Sequence, residues 1–200
     1  AAYDESGDLW AAGTDFDVWS SVYAYEVEEV EEVVEVIEEE TEAAEAEPNS
    51  LIKMTCEGDT DVNDPCRAVY FYGSDEKRHA FPNENVFYTW YEDFVAVVEV
   101  SADFMSDLSL GSNVTYHPGT KMVKFQSVRT VYAVSAQGVL RAIVSEEVAS
   151  DLYGADWNQQ IDDISDAFLG SYAFGEDINS AEDYDVEAQT DSVEGLDDNF

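Results

Sequence analysis

The chain has 200 residues, of which 46 are acidic and eight basic, for a formal net charge of −38. That balance leaves no basic surface to displace counterions from a nucleic-acid backbone and opposes docking on anionic lipid. No apolar run approaches the roughly 18 residues that a membrane-spanning helix needs, while 45% hydrophobic and 13% aromatic residues suffice for a packed core in one domain or two small ones.

The acids are unevenly placed. Residues 1–50 hold 17 acids and no Lys or Arg, residues 51–150 hold 14 acids and all eight bases, and residues 151–200 hold 15 acids and no base. A nearly balanced middle is therefore expected between two acidic arms. Self-repulsion on this scale weakens a compact state in dilute salt, and molar salt, with a Debye length of about 3 Å, removes most of it. The composition reads as adaptation to a high-salt environment; acidity aimed at Ca²⁺ or at a basic partner is the alternative. The chain starts at Ala1 with no leader-like segment, which fits a mature secreted protein.

The first arm, residues 1–48, carries Trp10, Phe16, Val18, Trp19 and Tyr23. These side chains are costly to leave in water and are the expected anchors for assembly. Tyr23, Val27, Val30, Val34 and Ile37 follow at three- and four-residue steps among glutamates, a heptad-like stripe. An extended strand over 15–27 competes with that reading, and residues 43–48 look like a linker.

Residues 49–118 form a first repeat. Leu51-Ile52-Lys53 opens it as a strand. Cys56 and Cys66, the only cysteines, have the spacing of a short disulfide-closed loop in an oxidising compartment. Between them Asp59, Asp61, Asn63 and Asp64 offer oxygens at alternate positions, so these four are candidate Ca²⁺ ligands. The Glu and Gly positions of an EF-hand are missing, and a solvated acidic turn is the plainer reading. A hairpin follows, Val69–Tyr72 and Lys77–Phe81 around Gly73-Ser74-Asp75-Glu76. A helix is expected over Asn85–Asp93 on the stripe Phe87, Trp90, Tyr91. Asn113-Val114-Thr115 is a glycosylation sequon in an expected exposed loop.

Residues 119–180 repeat the pattern. Met122-Val123-Lys124 matches Leu51-Ile52-Lys53. Val131–Val134 and Val139–Ile143 match the hairpin, with Arg141 read as the counterpart of Arg78. A helix over Glu146–Tyr153 matches the first helix. Further pairs are Glu84 with Glu147, Trp90 with Tyr153, Phe94 with Trp157, Val100-Ser101 with Ile164-Ser165, Leu110 with Phe174, and Gly111 with Gly175. The second copy has nine fewer residues before its hairpin, so the cysteine loop reads as an insertion. Two copies near a 62-residue period predict an α+β fold: duplicated β-hairpin-plus-helix repeats in one pseudo-symmetric domain. Phe94 and Trp157 are expected to be buried at equivalent ends. Residues 181–200 are the acidic C-terminal tail, expected to dock on a neighbour as the first arm does.

The run Ala-Val-Tyr-Phe-Tyr-Gly-Ser-Asp, Lys-Arg-His-Ala-Phe-Pro-Asn-Glu and Trp-Tyr-Glu-Asp-Phe, with Gly111–Lys121 and Val139-Leu140-Arg141, resembles uncharacterised repeat modules of bacterial secreted and cell-surface proteins. The resemblance covers about residues 50–178. It implies an extracellular location and a repeat architecture, and brings no catalytic residues with it. Asp75-Glu76 stands where such modules carry Asp-Gly.

No nucleophile elbow, phosphate loop or dinucleotide fingerprint occurs, and with 46 acids a carboxylate pair carries no information. An enzyme is not expected. The leading expectation is a structural subunit of an extracellular assembly, a filament or surface layer, whose partners are copies of itself. The alternatives are a cell-wall or polysaccharide-binding module using aromatics near the hairpins, and a secreted calcium-binding protein.

Overall fold

The computed structural model describes residues 45–58, 61 and 63–200, all within one unit, Ala43–Phe200. The five aromatic and aliphatic anchors between Trp10 and Tyr23, the heptad-like stripe, and Asp59 lie outside the described residues.

Strand β1 (Ser50–Met54) is apolar on both sides, with Leu51 3% and Ile52 0% exposed. Such a strand needs a packed layer on each face. It pairs antiparallel with β2 (Tyr70–Tyr72) and parallel with β4 (Val97–Val100). Strand β2 turns back into β3 (Lys77–Ala80), and β5 (Ser109–Leu110) joins β3 in parallel. The order is β4-β1-β2-β3-β5.

A second sheet is built from β6 (Met122–Phe125), β7 (Val131–Ser135), β8 (Val139–Ala142), β9 (Ile161–Ile164) and β10 (Ala173–Phe174). Its order is β9-β6-β7-β8-β10, with the same sequence of parallel and antiparallel pairings. The fold is α+β, with two five-stranded sheets of one topology and few helices. Lys53 faces Glu99 across β1 and β4 at 2.8 Å, and Lys124 faces Asp163 at the same place in the second sheet at 3.0 Å.

Helices occupy matching positions because their caps match. Asn83 accepts from Val86 N and starts α1 (Glu84–Trp90); Ser101 accepts from Phe104 N and starts α2 (Ala102–Asp107). Ser145 accepts from Val148 N and starts α3 (Glu146–Tyr153). Ser165 caps a 3-10 segment, Asp166–Ser171, where the first sheet has α2. Short polar side chains satisfy otherwise orphaned N–H groups at helix starts. The first helix thus starts one residue earlier than expected and ends at Trp90, because Tyr91 is already extended. The caps also equate Glu84 with Glu146, not Glu147.

The register corrects one pairing. Tyr70 faces Ala80 and Phe71 faces His79; Tyr132 faces Ala142 and Ala133 faces Arg141. Arg141 is therefore the counterpart of His79, and Arg78 that of Leu140. The offset at the cysteine loop holds, since Ile52 pairs with Tyr70 while Val123 pairs with Tyr132. Cys56 and Cys66 form a disulfide with 5.3 Å between their Cα atoms. It fits an oxidising compartment. Among the described residues no helix is long and apolar enough to cross a membrane.

The two sheets stack front to back. Leu51 and Phe71, on one side of the first sheet, join Val86 and Phe87 of α1. These four share one core cluster with Val123, Phe125, Val134 and Leu140 of the second sheet. The latter four lie on the side of their sheet opposite α3. The helix side of the second sheet packs Met122 and Ala133 under Val148 and Ala149. The remaining side of the first sheet holds Ile52 and Val100 against Met105 of α2, with Ala46, Met54, Tyr70, Tyr72, Val98 and Phe104 at its margin.

The C-terminal tail docks on its own domain. Tyr184 at 3%, Val193 at 7% and Leu196 at 3% exposure are core residues, and a short helix, α4 (Val186–Thr190), sits between them. Thr190 and the Val186 carbonyl crowd Gly119, whose φ of +74° also disfavours a side chain. The tail then reaches both hairpin turns. Asp197 accepts from Ser74 N at 2.9 Å, and Asn199 accepts from Gln137 N at 2.7 Å. Apolar burial and these bonds explain why an acidic, base-free segment is held.

Candidate functional site

Three places gather chemistry. The first is the pair of positions His79 and Arg141. Each lies on the third strand of its sheet and each meets a carbonyl of the loop after the fifth strand. His79 Nδ1 lies 2.9 Å from Ser112 O, and Arg141 Nε donates to Glu176 O at 3.0 Å. Each also meets a ring from the tail. Phe200 stacks on His79 with centroids 3.8 Å apart, and Arg141 sits 5.8 Å from the Tyr184 ring centre. Gly111 and Gly175, each just after the short fifth strand of its sheet, lie where a side chain would run into His79 or into Val139 and Arg141.

His79 is 2% exposed. Its Nε2 lies 3.1 Å from Asp75 Oδ1. Ser112 Oγ is 3.4 Å from Nδ1, which gives Ser112, His79 and Asp75 the outline of a hydrolytic triad. The geometry argues against that chemistry. The Nδ1 proton goes to the Ser112 carbonyl, so this nitrogen has no lone pair free for the hydroxyl. Burial raises the Asp75 carboxyl, but hydrogen bonds from Lys77 and His79 outweigh it and hold it down at about 2. This group ties the first hairpin turn, where Glu76 takes φ 60°, the left-handed residue that a three-residue loop requires. Sequence spacing alone did not bring Ser112 and Phe200 to His79; the equivalence of Gly111 with Gly175 was the available signal.

The second place is a groove of about 820 Å³ on the second sheet. Tyr132, Trp157 and Phe174 line it together with Arg129, Glu146 and Asp177. Phe174 is 57% exposed and meets Tyr132 edge-on at 5.7 Å. Ile143 and Ala149 also line it. At the matching positions of the first sheet stand Phe81 and Phe87, 5.2 Å apart, with Phe94 stacked on Phe87 at 4.2 Å. Phe94 is 45% exposed and Trp157 half-buried, so neither is the buried end that the repeat pattern predicts.

The third place is the outer side of the first sheet. Met54, Tyr70, Tyr72 and Arg78 are half-buried there. Their counterparts Phe125, Val134 and Leu140 are at most 1% exposed, and only Tyr132 matches Tyr70 in being half-buried. Arg78 lies 5.4 Å from the Tyr70 ring centre, and its Nε is buried without a hydrogen-bond partner.

The remaining expected sites are dispersed. Trp90 and Trp157 belong to different core clusters, and the Trp90 indole donates to Thr115 O, so the two do not make one exposed platform. In the cysteine loop Asp61 accepts from the Asn63 backbone and side chain, and Asp64 caps the turn at Cys66 N. Among the described residues no group of three or more His, Cys, Asp or Glu is placed to hold a metal. Asn113 is half-buried rather than exposed, and its Nδ2 donates to Ser171 Oγ. Thr115 of the same sequon is 6% exposed. Tyr116 is fully buried, donates to Asp162, and is raised by burial and by that carboxylate.

No family model matches the chain, and no curated protein or solved structure matches it.

Proposed function

We propose that this chain is a structural subunit of an extracellular assembly, a filament or surface layer in a high-salt setting, and not an enzyme. One observation carries the reading. Two sheets of identical topology stack front to back, and the outer side of the first sheet is half-open at positions whose counterparts Phe125, Val134 and Leu140 are buried in the second. A contact between unlike faces, repeated between subunits, propagates into a filament unless its rotation closes a ring. On this reading residues 50–178 are two copies of one module, related by duplication.

The occupant assigned to the open face is the N-terminal arm of the next copy. Ala46 packs at the margin of this face. The arm has acids and no bases against Arg78 on the face, and its proposed anchors are Trp10, Phe16, Val18, Trp19 and Tyr23. Two chains at −38 repel, so contact requires salt that screens them. The test deletes residues 1–47 and compares sedimentation in molar NaCl, with negative-stain imaging of the full chain. Polymers from the full chain alone support the proposal. A truncated protein that assembles like the full one overturns it, as does a full chain that stays monomeric at all salt concentrations.

A further inference from the structure

We propose that the groove of the second sheet binds a neutral oligosaccharide, with pyranose rings laid against Tyr132, Trp157 and Phe174. The inference goes beyond the assembly reading and does not depend on it. The groove, about 820 Å³, falls within the ~300–1,000 Å³ of small-ligand sites. Its walls alternate ring faces and hydrogen-bonding groups. Aromatic rings suit the C–H faces of a sugar, and the Arg129, Glu146 and Asp177 side chains suit its hydroxyls. Charge selects among ligands. One cation faces two carboxylates in a chain of −38, which repels an anionic polymer and leaves an uncharged polyol as the fitting partner.

The two sheets differ at this place. At the positions equivalent to Ile143 and Ala149 the first sheet carries Phe81 and Phe87, in edge contact at 5.2 Å. In the second sheet the smaller Ile143 and Ala149 line the groove, and Phe174 stays 57% exposed beside it.

The experiment is calorimetric titration of the full chain in molar NaCl with cellohexaose, laminarihexaose and chitohexaose, and with hexagalacturonate as an anionic arm. At least one neutral hexasaccharide is expected to bind saturably at millimolar concentration or below. Phe174→Ala and Glu146→Gln, both at exposed positions, each weaken it about tenfold with an unchanged melting midpoint. Leu110→Ala, the exposed counterpart of Phe174 in the first sheet, leaves it unaltered. No binding by any of the three neutral probes overturns the proposal. So does binding that ignores both groove variants, or a preference for hexagalacturonate.

Discussion

The two sheets share strand order, caps and a cross-strand ion pair, yet they bury different things. From the helix on one side the first sheet receives Phe87 and the second Ala149; on the opposite side the first has Met54, Tyr72 and Arg78 where the second has Phe125, Val134 and Leu140. The reason is position in the stack. The second sheet packs on the first at one side and under α3 and Tyr184 on the other, so the residues at the centre of both its faces are apolar and buried. The first sheet must project rings into its neighbour and keeps one side half-open. The backbone plan repeats, while the side chains record which neighbour each face has.

The largest expected effect comes from removing what holds the stack on the tail side. Deleting residues 181–200 uncovers the sites of Tyr184, Val193 and Leu196, each worth about 1.5–3 kcal/mol in burial, against a typical total stability of about 5–15 kcal/mol. Calorimetry should find no cooperative transition. A truncated chain melting within a few degrees of the parent would break the idea that the tail belongs to the core.

Next in size is the contrast between rings that fill the first sheet and the ring left exposed in the second. Phe87→Ala should cost about 3–5 kcal/mol in urea unfolding. Phe174→Ala should stay within about 0.5 kcal/mol. Equal costs would mean that the groove is as filled as its counterpart.

The hairpin turns should respond differently to acid. Asp75 sits at about 2 in the folded chain against 3.8 for the free group, so its contribution is complete above the unfolded value and lost as pH falls through 4 toward 2. Its counterpart is Gln137, which does not titrate. Asp75→Asn should lower stability at neutral pH and narrow its gap from the parent on acidification through that window. A gap that is constant from neutral pH to 2 would contradict the assignment.

The smallest effect sharpens the likeness instead. Lys53→Gln and Lys124→Gln remove equivalent, partly exposed ion pairs. Each should cost at most about 1 kcal/mol, the two should agree, and both costs should shrink in molar salt. Unequal costs would show that these strands are held differently.

Much of the backbone plan was legible in the chain. The hairpins, the helix over Glu146–Tyr153, the nine-residue difference in spacing before the hairpins, the disulfide and the lysine correspondence follow from local patterns: alternation, caps, spacing. Those signals are local because strand faces and helix starts depend on near neighbours. Pairing Arg141 with Arg78 failed because residue type was matched where the strand register, a one-residue matter, decides which side chain faces which way. The tail was expected on a neighbouring copy because nothing in its own sequence shows which surface receives it, whereas Tyr184, Val193 and Leu196 pack among residues of their own domain that are far away in sequence.

Legible from the chain alone are the α+β class, two successive sets of strands and helices, and a net charge of −38. What only the tertiary structure decided is the front-to-back stacking, the open groove beside Ala149, the half-open side of the first sheet, and the meeting of Asp75, His79, Ser112 and Phe200. These depend on which faces come together across long loops, and a face has no signature in local spacing until its partner is in place.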